Sequence, residues 1–399
     1  MKVLFAGTPG VCKSSVLRRL ELECKRRYPD RRIFTAILDR RLYTNQPIAF
    51  LKRPSYIQKE AWRSAFNKLR QEFYDSKADH CFLGIHCTYR FDQIPRCNLD
   101  FSALCTWRPD CIVTLIDDVY CVRDRIHRGR HTSFSIAELV QWRAEELLVG
   151  DLLARAIDSA NPPPNYVIAV KHPVAMLAEL LFGQVPPLRV YTSYSITDTR
   201  NNRHQRKIID YFRQKISKRS SLVVFDPLTI DELPPLIRAA RSRKKQKTIS
   251  YHVSRADDRW PIAQTKALAS DRDVQSKQVL RVPLPEAQYA RGAVDAQVAD
   301  RDYRLIDQSH AVVVFRPTLG GRRALSQGVH AEVEYASHVG RPIVWYFKRG
   351  EDSIPESPFI QGDPGSDPNI VFDRDERLVW TQLSEIRESL PRDGDHFLR

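Results

Sequence analysis

The sequence predicts an α/β protein with two doubly wound parallel sheets, and three observations predict it. From residue 2 to about 170, short apolar runs alternate with stretches of helical periodicity, the rhythm of strands laid parallel with helices between them. Around Gly183-Gln184-Val185-Pro186-Pro187 the pattern is interrupted, and at Leu188 it begins again. At 399 residues the chain is also too long for one core, and it shows no internal repeat, so the halves read as a fusion of two domains, 1–182 and 188–399.

The elements follow in order. Lys2 to Ala6 is an apolar strand entering a glycine-bearing loop, GTPGVCKSS at 7–15, and then a helical stretch from Ser14 to Arg27. Further strands are expected at Ile33–Leu38, Cys81–Ile85, Cys111–Ile116 and Tyr166–Val170. In the second half, strands are expected at 188–192, 222–225, 311–315 and 342–347, with helices near 203–217 and 328–339. Charged, irregular sequence from 236 to about 297 reads as a long basic insertion.

The eight cysteines, 12, 24, 81, 87, 97, 105, 111 and 121, form no CxxC pair, which argues against a zinc site or a secreted disulfide framework and for reduced thiols. No apolar run reaches the ~18 residues of a membrane span, and the opening MKVLFAG lacks the features of a signal peptide, so the expectation is a cytoplasmic protein with no membrane contact. A net charge of +15 points to polyanions, either small phosphates or nucleic acid. The one compact basic run, Arg241 to Lys247, reads as a solvated loop or as a nucleic-acid contact.

The 7–15 loop matches GxxxxGK[ST] at Gly7, Lys13 and Ser14, with Cys12 where the second glycine belongs. In such a loop successive backbone N–H groups surround phosphate, while Lys and the hydroxyl reach phosphate and metal. Together with Phe82-Leu83-Gly84-Ile85-His86-Cys87, Pro109 to Asp118 and Val122-Arg123-Asp124-Arg125-Ile126, the loop resembles the P-loop nucleoside monophosphate kinases, most nearly archaeal-type adenylate kinases, over about residues 1–182. The resemblance implies ATP or another nucleoside triphosphate with Mg²⁺ at Gly7, Gly10, Cys12, Lys13, Ser14 and Ser15. Ser14 would touch the metal, and Arg125, Arg128 and Arg130 would carry a lid's positive charge. Asp39, with Arg40 or Arg41, would face an acceptor nucleotide or else cap a helix. Family members carry an aspartate where this chain has Gly84. Losing that carboxylate and a loop glycine together favours holding a nucleotide over turning it over, with Asp117 and Asp118 as alternative carboxylates.

In the second half, Asp302 to Phe315 reads as a helix running into a buried strand, followed by a loop and Ser326-Gln327-Gly328-Val329-His330-Ala331-Glu332. Ser326 and Gly328 open a helix, where free N–H groups favour an anion, and Glu332 lies about one turn on. The SxGVxxE pattern resembles the nucleoside 2-deoxyribosyltransferase superfamily, especially its deoxynucleoside 5'-monophosphate N-glycosidase branch, over about 188–350. The resemblance implies a Rossmann-like domain that needs no cofactor, with Glu332 as nucleophile or stabiliser at the anomeric carbon and Asp302 positioning substrate or assisting proton transfer. Ser326, in place of an aspartate that would repel phosphate, together with Arg322 and Arg323, favours a nucleotide over a nucleoside. Tyr191 and Ser195, in YTSYSIT, line the first substrate loop in outline, and Asp226 and Asp231 read as caps or sugar contacts.

The leading expectation is therefore an enzyme that cleaves or transfers the N-glycosidic bond of a nucleoside 5'-monophosphate, with a nucleotide at the first domain for regulation or phosphorylation. An active nucleotide kinase with a sensing second domain is the alternative, and a non-enzymatic binder of nucleotides and nucleic acid is a third reading. Analogy with the glycosidase-like family implies a homodimer or higher homo-oligomer.

Overall fold

The computed structural model describes all residues except 43–46, 92–93, 131–133, 184–186, 198, 201, 220, 243–246, 253–278, 317, 320–321, 324–325, 348–375 and 391–399. The architecture is mixed α/β, with two parallel sheets flanked by helices. Strands β1 (Lys2–Ala6), β2 (Ile33–Ile37), β3 (His80–Gly84), β6 (Cys111–Ile116) and β7 (Asn165–Ala169) form a five-stranded sheet in the order β2-β3-β1-β6-β7. A short hairpin of β4 (Tyr89–Phe91) and β5 (Ile94–Arg96) stands beside it. Strands β8 (Leu188–Tyr194), β9 (Leu222–Phe225), β12 (Ala311–Arg316) and β15 (Ile343–Phe347) form a second sheet in the order β15-β12-β8-β9.

Both sheets are covered on both faces, which is why their strands read as unbroken apolar runs rather than as alternation. In β1, Val3 and Phe5 point to one core while Leu4 and Ala6 point to another. In β12, Val312 and Val314 face one way and Val313 and Phe315 the other. Val3, Phe5, Val113 and Leu115 of the first sheet belong to the same contiguous apolar cluster as Tyr191, Val223, Val312 and Val314 of the second. The two halves thus share buried surface.

Local chemistry fixes the helix starts. Ser135 and Glu138 form a capping box at the head of Ile136–Ile157, with the Ser135 side chain accepting from Glu138 N–H and the Glu138 carboxylate accepting from Ser135 N–H. Asn202 caps Arg203–Ser217, and Ser326 caps Gln327–His338. All eight cysteines are free thiols, and burial pushes those of Cys81 and Cys121 up to about 12.

The segment 236–297, expected to be irregular, is regular over much of its described length. Helix Leu233–Arg241 enters it, β10 (Thr248–His252) pairs antiparallel with β11 (Val279–Pro283), and a 24-residue helix, Leu284–Asp307, follows. That helix buries Leu284, Ala287, Ala290 and Val294 against the rest of the fold, so its first half belongs to the core. Among the described residues no helix is long and apolar enough to cross a membrane.

Candidate active site

The structure places two constellations at the carboxyl ends of central parallel strands, where open α/β sheets bind ligands. The first is the loop after β1. Gly7 (φ 143°) and Gly10 (φ 87°) occupy conformations that favour glycine, and a Cβ on Gly7 would lie 2.6 Å from the Leu115 carbonyl oxygen. Cys12 is left-handed at φ 58° and ψ 42°, which is the physical reason the motif specifies glycine there. The Lys13 ammonium donates to the Gly7 carbonyl at 2.6 Å and lies 2.6 Å from His86 Nδ1. His86 Nε2 lies 3.2 Å from Asp39, which also accepts from the Tyr89 hydroxyl at 2.8 Å. Ser14 is half-buried in the first helical turn and Ser15 is buried.

Replacing Cys12 by glycine is expected to stabilise the protein. Relief of the left-handed conformation, worth ~1–2 kcal/mol, exceeds the extra chain entropy of an unfolded glycine, at most ~1 kcal/mol. A urea midpoint raised by a net ~0.5–1 kcal/mol, with unchanged slope, is the expected measurement.

The other candidate residues of this half are engaged within the fold, apart from Arg130. Arg125 is not an open lid cation. It is a buried brace, pairing with Asp117 at 2.7 Å and donating from a second nitrogen to the Gly10 carbonyl at 2.7 Å. Burial alone would raise the Asp117 carboxyl, but Arg125 and Lys171 outweigh it and hold the group below the ordinary carboxylate range. Arg128 pairs with Asp124 one turn back, and Arg130 ends helix Val119–Arg130 with its side chain outside the described residues. Asp39 is buried against Tyr89 and His86 rather than facing outward. Asp118 accepts from the Tyr120 and Cys121 N–H groups, the role of a helix cap. A Cβ at Gly84 would lie 2.5 Å from Ile37 Cδ1 and 3.2 Å from Leu17 Cδ1, so apolar packing occupies the space an aspartate would need. Among the described residues no group of three or more His, Cys, Asp or Glu is arranged to hold a metal.

The second constellation gathers residues from three elements. Glu332, half-buried on helix Gln327–His338, accepts a hydrogen bond from the Ser193 hydroxyl of β8. Helix Leu284–Asp307 supplies Asp302, held by Arg301 through two hydrogen bonds to one carboxylate oxygen, 3.0 Å from Nε and 2.9 Å from a terminal nitrogen. Burial, then the Asp302 charge, pushes the Glu332 carboxyl up to about 8. Asp302 is itself raised, because burial outweighs Arg301. The Tyr191 hydroxyl is fully enclosed beside Glu332, and burial, Asp302 and Glu332 together push it well above its ordinary range.

Below this cluster, the Ser326 backbone N–H donates to the Ser195 hydroxyl at 3.0 Å, and the Ser326 hydroxyl caps its helix at Val329. Among the described residues the nearest atom to a Cβ on Gly328 would be Ser326 Oγ at 3.8 Å, ordinary van der Waals contact. Arg322 and Arg323 form β14, paired with β13 (Thr318–Leu319) as a small hairpin, and their side chains lie outside the described residues.

Tyr191, Ser195, Asp302, Ser326 and Glu332 are thus brought to one end of the second sheet. Sequence reasoning missed Ser193 and Arg301. Strand alternation, which sets residues 191, 193 and 195 on one face, carried the signal for the first. Asp226 pairs with Arg213 at 2.6 Å and accepts from the Tyr194 hydroxyl, and Asp231 pairs with Arg200 at 2.8 Å. Both serve as anchors of the scaffold.

No known protein-family model matches the chain. No curated protein matches it significantly.

Proposed function

We propose that the second half cleaves or transfers the N-glycosidic bond of a nucleoside 5'-monophosphate, and that the first half holds a nucleoside triphosphate. The observation that carries this reading is Glu332, partly accessible, held by Ser193 and set against Asp302 and Tyr191 where β8 and β12 end. In the proposed reaction a Glu332 oxygen bonds to C1' as the bond to the base breaks. The bond's electron pair leaves with the base, which is protonated by water while Asp302 positions the sugar, and water or a second base then displaces the carboxylate and gives up its proton to solvent. The helix start at Ser326 and Gly328 suits the 5'-phosphate. The Tyr191 hydroxyl, enclosed beside Glu332, is a donor that can hold the carboxylate or the sugar.

The ionised form of Glu332 is the reactive one. Its raised proton affinity therefore makes kcat/KM climb as pH increases and level off near pH 8, since that profile reports the free enzyme. Incubation with a panel of ribo- and deoxynucleoside monophosphates between pH 5 and 9, with free base measured chromatographically, tests the reading. A falling limb near pH 8 would make Glu332 the acid instead, and no base from any substrate would remove the proposal.

In the first half, the loop backbone and Lys13 suit the phosphates of a nucleotide such as ATP, and Ser14 would contact Mg²⁺. Bound Mg²⁺ would neutralise phosphate charge. With Asp117 committed to Arg125, Asp118 to a helix cap and Gly84 enclosed by apolar groups, this half is proposed to bind rather than to transfer phosphate.

A further inference from the structure

A row of charged side chains, joined by hydrogen bonds and ion pairs as far as Glu232 and by charge alone from there to Arg301, runs from the phosphate loop of the first half to the carboxylates of the second. Arg125 touches the loop at the Gly10 carbonyl and pairs with Asp117. The Asp117 carbonyl accepts from Arg143 at 3.3 Å, and Arg143 makes a two-pronged pair with Glu232 at 2.8 and 2.9 Å. Glu232 also accepts from Val119 N–H at 2.7 Å, at the head of the helix that carries Arg125. Glu232 also feels the charge of Arg301, which in turn holds Asp302, whose charge acts on Glu332. Burial would raise the Glu232 carboxyl, but Arg143 and Arg301 outweigh it and keep it ionised. Arg143 and Glu232 are both buried, so neither charge is screened by water.

We propose that Arg143 and Glu232 are positioning residues through which phosphate bound at the 7–15 loop sets the charge of the Asp302–Glu332 pair. The inference rests on the reading of that pair as the glycosidic site. A polyphosphate at the loop competes with Asp117 for Arg125, since both ask for the same guanidinium. Asp117, less neutralised, draws on Arg143, and Glu232 then draws on Arg301. Asp302 loses part of its counter-charge, and the carboxyl pair takes up protons more readily. The charged and titratable groups facing the pair are Arg301, Tyr191 and, more distantly, Asp226. A loaded loop thus holds the site in its protonated, idle form. By reciprocity, ligand at the site changes nucleotide affinity by the same factor.

The test follows the unfolding free energies of the full chain and of its Glu332→Gln variant between pH 4 and 9.5, with and without saturating MgATP, whose binding is measured separately by calorimetry. The difference between the two proteins levels off at the pH where Glu332 ionises in the folded state. The expected result is a plateau moved up by about 0.5 pH unit or more on adding MgATP, equivalent to a change of ~3-fold in affinity. Arg143→Met combined with Glu232→Gln removes both charges together, and should still bind MgATP while losing the movement. If that pair of changes does not fold, Arg143→Lys keeps the charge without the two-pronged geometry and should at least halve the movement. A plateau that stays in place with MgATP bound, an equal movement in the altered proteins, or failure to bind MgATP would each overturn the proposal. Movement without any base release would retain the coupling and remove only the glycosidic reading.

Discussion

Glu332→Gln is expected to lower base release by on the order of 10³-fold or more, because the amide keeps the shape and loses the oxygen nucleophile. The same change should stabilise the fold at neutral and alkaline pH. The folded-state value, about 8, lies above the ordinary 4.5, so the wild-type carboxyl contributes its full stability only below pH 4.5 and loses it progressively as pH rises to about 8. Glutamine never ionises and escapes that loss. Melting curves should therefore coincide near pH 4 and separate by a few degrees near pH 8, with the variant higher. Loss of activity together with a gain in stability is the signature of a site held under electrostatic strain, and a variant that lost both would place Glu332 in the scaffold instead.

Lys13→Ala is expected to weaken nucleotide binding at the loop by roughly 10- to 100-fold, the scale of one charge-assisted hydrogen bond to phosphate. The ammonium already lies at the loop, on the Gly7 carbonyl and His86, so little rearrangement is needed for it to reach a phosphate. Titration with a fluorescent ATP analogue measures the loss. Base release in the absence of ATP should be unaffected, since Lys13 belongs to the other sheet. Equal affinity in the two proteins would mean that the loop does not cradle phosphate.

The central strands of the two parallel sheets were legible because they are buried on both faces, and an apolar run such as Ala311 to Phe315 has no competing explanation. The loop at 7–15 and the pattern at 326–332 were legible because backbone requirements leave marks on sequence: glycine at Gly7 and Gly10, a capping serine at Ser326. The long helix from Leu284 was not, because its buried face is made of small residues, Ala287 and Ala290, that give a weak apolar stripe. The role of Arg125 was hidden for another reason. An arginine on a helix reads as solvent-facing until its counter-charge is located, and Asp117, at the end of β6, faces it only in three dimensions. Arg143 and Glu232, 89 residues apart in the chain, leave no sequence signal of their pairing.

Strand β7 is an outer strand of the first sheet, and Gln308 from the second half lies along it like an added rung. Its amide accepts from Val167 N–H at 2.8 Å and donates to the Val167 carbonyl at 3.0 Å. Severing the chain after residue 182 would strip that cover and bare a ribbon of unsatisfied amides and apolar side chains. The isolated front fragment should then stick to its own copies, so its tendency to clump would measure how far one half serves as the other's chaperone.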